Sequence, residues 1–208
     1  MEKLFQQLGE HLGYVLIAMF MVIIIAIKDL IKKWLEKKQD KKDAITASKL
    51  KINCEVNELL AEFRVLSDAA RISVLQFHNG DYFYNGSPVL KFSMTHESCT
   101  RGVSRITEKI QGCHLSAYYQ LLELCELDFE IHSTKELKES NLKGYMDSNN
   151  TVSFSVFSIK CQKNLNIIGL VLVEWCSESK SKLINIEEVE KICYKYMGLI
   201  KNIINNQK

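Results

Sequence analysis

The chain has 208 residues, with 27 basic and 25 acidic side chains and a formal net charge of +2. That length holds one ordinary domain plus an appendage, and near-neutrality excludes the global basic field on which nucleic-acid binding relies. Seven cysteines, at positions 54, 99, 113, 125, 161, 176 and 193, form no CxxC pair and no repeated spacing. This argues against a zinc ribbon or thioredoxin motif and for reduced thiols in a cytosolic compartment.

The first predicted element is a membrane anchor. Residues 12–27, "LGYVLIAMFMVIIIAI", carry no charge and at about 1.5 Å per residue cover most of a ~30 Å hydrocarbon core. Leu8, Leu30 and Ile31 complete the span if Lys28 snorkels to the interface. A cleaved signal peptide fits poorly, because "MEKLFQQLGEH" has no net positive n-region and no small-x-small site follows. The lysine excess after the span includes Lys28, Lys32, Lys33, Lys37 and Lys38. It predicts a single-pass protein of the inner (cell) membrane with its C-terminal domain in the cytoplasm. The same lysines are placed to meet anionic lipid headgroups.

A helical stalk comes next. Ile45, Ile52, Val56, Leu59, Phe63 and Leu66 follow an a/d-type spacing, which predicts a helix packed on a partner chain or on its own domain. No helix breaker occurs between Lys28 and Ser67, so span and stalk are expected to run nearly continuously.

Beyond Ser67 the segments alternate in type. "RISVLQF" and "VLKFSMT" have strand composition and flank two Asn-Gly turns. "LSAYYQLLELCEL" reads as a helix, "DFEIHS" as a short strand, and residues 134–150 as a polar stretch. "TVSFSVFSIK" and "NIIGLVLVEW" form a second hairpin. The second of these strands is apolar on both faces, so it is expected at the centre of the sheet. Residues 186–204 form an amphipathic helix with one wide apolar face. The result is an α+β domain around an antiparallel sheet flanked by helices, with boundaries at 1–31 (anchor), 32–66 (basic segment and stalk) and 67–208 (cytoplasmic domain).

The stretch "VSFSVFSIKCQKNLNIIGLVLVEWCSE", followed by an amphipathic helix, resembles the second half of a GAF domain. That likeness covers residues 54–204 and implies a GAF-like fold whose first and last helices pair at a homodimer interface. The "FHNG…NGSPVLKFSMTHE" stretch is similar to a group of membrane-tethered bacteriophage and bacterial proteins, which implies no chemistry. The Asn-Lys-Phe-Asp-Glu signature of cyclic-nucleotide-binding GAF domains is absent.

Residues 71–97 hold the candidate site. Pairing 71–78 with 89–96 sets His78 near the turn and His96 at the opposite end, some 20 Å apart, so a metal shared by both is rejected. At the turn, His78, Asn79, Asp81, Tyr82 and Tyr84 form a polar-aromatic loop suited to ligand contact, with Ser93 on the second strand. At the other end, His96, Glu97, Cys99 and Arg101 form a second polar group. There His96 is expected to continue the face of Leu90, Phe92 and Met94, and Thr95 or Ser98 is positioned to cap a helix. No HExxH occurs, which excludes zincin chemistry.

The expected function is non-catalytic: a membrane-anchored sensory or interaction protein that binds a small molecule or protein partner. Any pocket is expected between the sheet and the 80–107 and 115–150 connections. No cofactor is legible. The competing readings are an enzyme using Cys99 or Cys113 with His96 or His114, a viral membrane or lysis-associated protein, and a scaffold.

Overall fold

The computed structural model describes residues 2–82, 86, 88–126, 129–177 and 185–205; the side chains of 2–18, 20–26, 81 and 88 lie outside that description. The chain divides into two compact units, Met1–Leu50 and Lys51–Lys208. Helix α1 (Glu2–Leu66) contributes to both.

Within the first unit Lys28, Lys32, Lys33, Lys37 and Lys38 are exposed, and so are Leu30, Ile31, Trp34 and Leu35. Among the described residues no helix is long and apolar enough to cross a membrane. The uncharged run at 12–27 lies almost wholly outside the described side chains, Met19 and Ile27 excepted.

The second unit is built on strands β1 (Arg71–Tyr82), β2 (Pro88–Cys99), β3 (Cys113–His114), β4 (His132–Ser133), β5 (Ser153–Lys160) and β6 (Ile167–Trp175). They form one antiparallel sheet in the order β3-β2-β1-β6-β5-β4. β6 is central, as its two-sided apolar pattern requires. Its Gly169 sits opposite Gln76 of β1, and a Cβ there would lie 2.5 Å from the Leu75 carbonyl oxygen. Only glycine lets the two central strands close to that spacing.

Successive β6 residues face opposite layers. Val171, Val173 and Trp175 join Ile72, Val74 and Ile159 beneath two helices: the last turns of α1, and α4 (Ile186–Asn205). From these helices Val56, Leu60, Phe63, Cys193, Tyr196 and Ile200 are buried, and Phe63 stacks on Tyr196 at 5.3 Å. Leu170 and Leu172 face the other layer. There they meet Leu75, Phe92 and Met94 of the sheet and residues from α2 (Tyr119–Cys125) and α3 (Asn141–Ser148).

Three expectations are corrected. Of the predicted stalk series Val56 and Phe63 are buried and Leu59 partly so, but Leu60 joins them against the protein's own domain, while Ile45 and Leu66 stay exposed. The residues after Thr95 form no helix start, because β2 continues to Cys99 and pairs with Arg71. The polar 134–150 stretch contains α3, begun by Ser140, whose hydroxyl accepts from the Lys143 amide.

The hairpin register also differs. Val74 pairs with His96 and Leu75 with Met94, leaving Thr95 as an extra residue in β2. Such a bulge reverses the facing of the strand residues beyond it. His96 therefore leaves the face of Phe92 and Met94 and turns to the helix layer, where its Nε2 lies 3.3 Å from Asn53 Oδ1 of α1. His78 pairs with Lys91, so the two histidines are four β1 positions apart, about 13 Å.

Candidate functional site

The layer on the sheet face away from α1 and α4 holds an apolar pocket. It is lined by Leu75, Phe92, Met94 and Leu172 from the strands, and by Ile110, Tyr118, Leu121, Leu142 and Tyr145 above them. Its free volume is about 10 Å3, room for roughly one water molecule. Beside it lies an open cleft of about 440 Å3, which shares Ile110, Tyr118 and Tyr145 with the pocket and adds Lys109, Ser140, Asn141, Ser148 and Asn149. Sequence reasoning placed a pocket in this layer; the structure makes its inner part nearly full and its outer part open and polar.

Tyr145 links the cleft to a buried charge network. Its hydroxyl donates to Glu174 Oε2 at 3.2 Å, and Thr151 Oγ1 donates to Glu174 Oε1 at 2.7 Å. Arg71 Nη1 donates to Glu174 Oε1 at 3.1 Å, and Nη2 to the Ser104 carbonyl at 2.9 Å. Arg71 Nε lies 3.0 Å from Glu97 Oε1, an ion pair rather than an aligned hydrogen bond. The Arg71, Glu97 and Glu174 side chains are at most 1% exposed. The Glu97 carboxylate also accepts from the amides of Ile106 and Thr107 and from Thr107 Oγ1 at 2.7 Å, so it clamps the segment that forms one cleft wall.

Burial works against charge on both sides of the Arg71–Glu174 pair, with different results. For Arg71 burial is the largest single effect and works against the charge, but Glu174, Tyr145 and Cys99 together outweigh it, and the guanidinium is held charged more firmly than usual. For Glu174 complete burial prevails, and its pKa rises despite Arg71 and the hydrogen bonds from Thr151 and Tyr145. The guanidinium faces two carboxylates and keeps its proton.

Cysteine chemistry is set by burial. Cys99 is pushed up to about 11 by burial and then by the Glu97 charge, with Arg71 pulling the other way. Burial also raises Cys113. A catalytic thiol needs the opposite shift, and the three-residue spacing of Cys99 and His96 on β2 puts them on opposite faces.

These groups give the fold an alkaline limit. Burial raises Cys193 to about 12 and Cys125 to about 11, and lifts Tyr145 well above its usual 10. The folded state thus holds protons that the unfolded chain releases above pH ~9. Their stabilisation is complete below the unfolded pKa values and is lost as pH rises through the folded ones. The expected result is a melting temperature that falls steadily between pH 9 and 12, with a shallower slope in Cys193→Ala; a flat profile would refute it. For His96 burial lowers the pKa, so its contribution is present above about 6.5 and lost on acidification.

The predicted site residues separate into groups. His78 Nε2 lies 3.0 Å from Ser93 Oγ, which accepts from the Gly112 amide. Asn79 and Tyr82 are exposed nearby. Tyr84 and the Asp81 side chain lie outside the described residues. Glu97 and Cys99 belong to the buried network, His96 faces the helix layer, and Arg101 is exposed. Sequence reasoning missed Arg71, Tyr145, Thr151 and Glu174. The available signal was Glu174 itself, a lone carboxylate in a strand apolar on both faces, where an acid must find a partner.

Neither a family model nor a curated protein matches this chain. Solved structures do. The phycoerythrobilin-bound GAF domain of a cyanobacterial phytochrome aligns over 79% of this chain and 92% of its own, at 14% identity and a TM-score of 0.51. The GAF domain region of a putative membrane protein from Geobacter sulfurreducens aligns over 77% and 97%, at 13% identity and 0.52. At such identities the likeness speaks for the backbone alone, and on that ground the domain has the fold of GAF domains.

Proposed function

We propose that the chain is a non-catalytic, membrane-anchored sensory or interaction protein whose GAF-like domain receives a small molecule or a protein partner. The observation that carries this reading is the 440 Å3 cleft bordering the apolar pocket, with Tyr145 shared between them. The phytochrome domain of similar fold holds phycoerythrobilin, which supports a small-molecule role for a domain of this fold. The nearly full inner pocket favours a ligand seated in the cleft, with Tyr145 as part of its floor. Anchoring rests on the uncharged run at 12–27 and the lysines after it. Exposed Leu30, Ile31, Trp34 and Leu35 beside that run add apolar surface that lipid can cover. Dimerisation through α1 and α4 has room on exposed Leu66, Tyr194 and Leu199.

Native mass spectrometry of the full chain, extracted gently in detergent, tests the reading. The expected result is a dimer carrying a reproducible added organic mass. That mass should be absent from Gly144→Leu, which fills the cleft from a position where a Cβ meets nothing within 4 Å. A bare chain would shift weight to a scaffold, and an added metal ion to a His/Cys site.

A further inference from the structure

A second cleft lies in the same domain, between the last turns of α1 and the turn that follows β2. Its volume is about 470 Å3, and it is lined by Asn57 of α1, Thr95, His96 and Glu97 of β2, and Arg105, Thr107, Glu108 and Lys109. Arg105 and Lys109 are exposed, and neither makes an ion pair among the described residues. Glu97, the more buried of the two acids, is already satisfied by Arg71, two amides and the Thr107 hydroxyl. Among the exposed side chains of the wall, the cations Arg105 and Lys109 stand against one acid, Glu108.

The wall is also pre-organised. The Lys109 and Ile110 amides donate to the Ile106 carbonyl at 2.9 and 3.2 Å, closing the turn. Ile106 is buried, and Glu97 holds its amide from inside. Arg105 and Lys109 flank this turn and both line the cleft, so an anion seated there meets both charges. Opposite them, Asn57 offers an amide donor one helical turn from Asn53, the residue that holds His96.

We infer that this cleft binds an anion bearing phosphate-type oxygens, held by Arg105 and Lys109 with Asn57 as a further donor. Arginine suits such a ligand through its planar fork and lysine as a point charge. The shared chemistry belongs equally to a soluble phosphate compound and to a lipid headgroup. Occupancy would tie α1 to the turn after β2, a role separate from that of the cleft at Tyr145.

The test is titration calorimetry with inorganic pyrophosphate on the full chain in nanodiscs. One preparation contains phosphatidylcholine alone and the other adds phosphatidylserine. Saturable binding in phosphatidylcholine is expected, weakened at least tenfold in Arg105→Gln/Lys109→Gln and unchanged in Lys191→Gln, which removes an exposed charge elsewhere. Binding retained with phosphatidylserine identifies a soluble anion; binding suppressed there, in the wild type only, identifies a headgroup. No saturable binding in phosphatidylcholine, or equal weakening by Lys191→Gln, overturns the inference. Lys109 also borders the cleft at Tyr145 whereas Arg105 does not, so Arg105→Gln alone, expected to weaken pyrophosphate binding several-fold, keeps failure here separate from the mass-spectrometric result for that cleft.

Discussion

Replacing Arg71 with alanine is expected to destabilise the domain by about 3–5 kcal/mol, the range for removing one partner of a buried ion pair. Two buried carboxylates, Glu97 and Glu174, would lose the guanidinium lying 3.0 and 3.1 Å from them. The Ser104 carbonyl would lose its donor as well. Such a loss is a large part of the roughly 5–15 kcal/mol that holds a domain together. The comparison that isolates the charge is Arg71→Met with Glu97→Gln and Glu174→Gln. This variant leaves no uncompensated ion and should recover much of the loss, since buried ion pairs add little over neutral replacements. Urea denaturation of the full chain in detergent measures both. A cost for Arg71→Ala below about 1 kcal/mol, the ordinary range for an exposed ion pair, would show that the network is not closed to water.

The second large effect belongs to Trp175, which is fully buried at the end of β6. Its Nε1 donates to the Ser67 carbonyl at 3.0 Å, just past α1, while the backbone carbonyl of neighbouring Glu174 accepts from Ala70. Adjacent β6 residues thus join the helix layer and the charge network through opposite faces of one strand. Trp175→Ala should cost about 3–5 kcal/mol through the cavity it leaves. Trp175→Phe keeps most of the volume and loses mainly the hydrogen bond, so about 1 kcal/mol is expected. Amide exchange at residues 67–70 should quicken in both variants ahead of the rest of the domain. If the phenylalanine variant matched the alanine one, the hydrogen bond rather than the packing would dominate.

Much of this architecture was legible in the residues. Strand composition and turn residues identified β1, β2, β5 and β6, and the spacing of apolar residues identified the closing helix, because each element must bury one face. "IIGLVLVEW" revealed a central strand, since only two covered faces tolerate that composition. The uncharged run at 12–27 and the lysines after it are likewise properties of the sequence, and the membrane reading rests on them.

Tertiary structure decided which side chains meet. A single extra residue at Thr95 turned His96 towards Asn53 and set Glu97 facing Arg71. No local pattern announces such a bulge, because it depends on the pairing of two strands. Leu60 joined the a/d residues Val56 and Phe63 in the buried stalk face, with Leu59 at its edge, because the domain's own sheet and α4, not the heptad alone, supply their partners. Arg71, Tyr145, Thr151 and Glu174 lie up to 103 positions apart and become one network only when β1, β6 and α3 converge. Sequence specifies which faces must be buried; the long-range closure of the sheet determines which buried polar groups find one another.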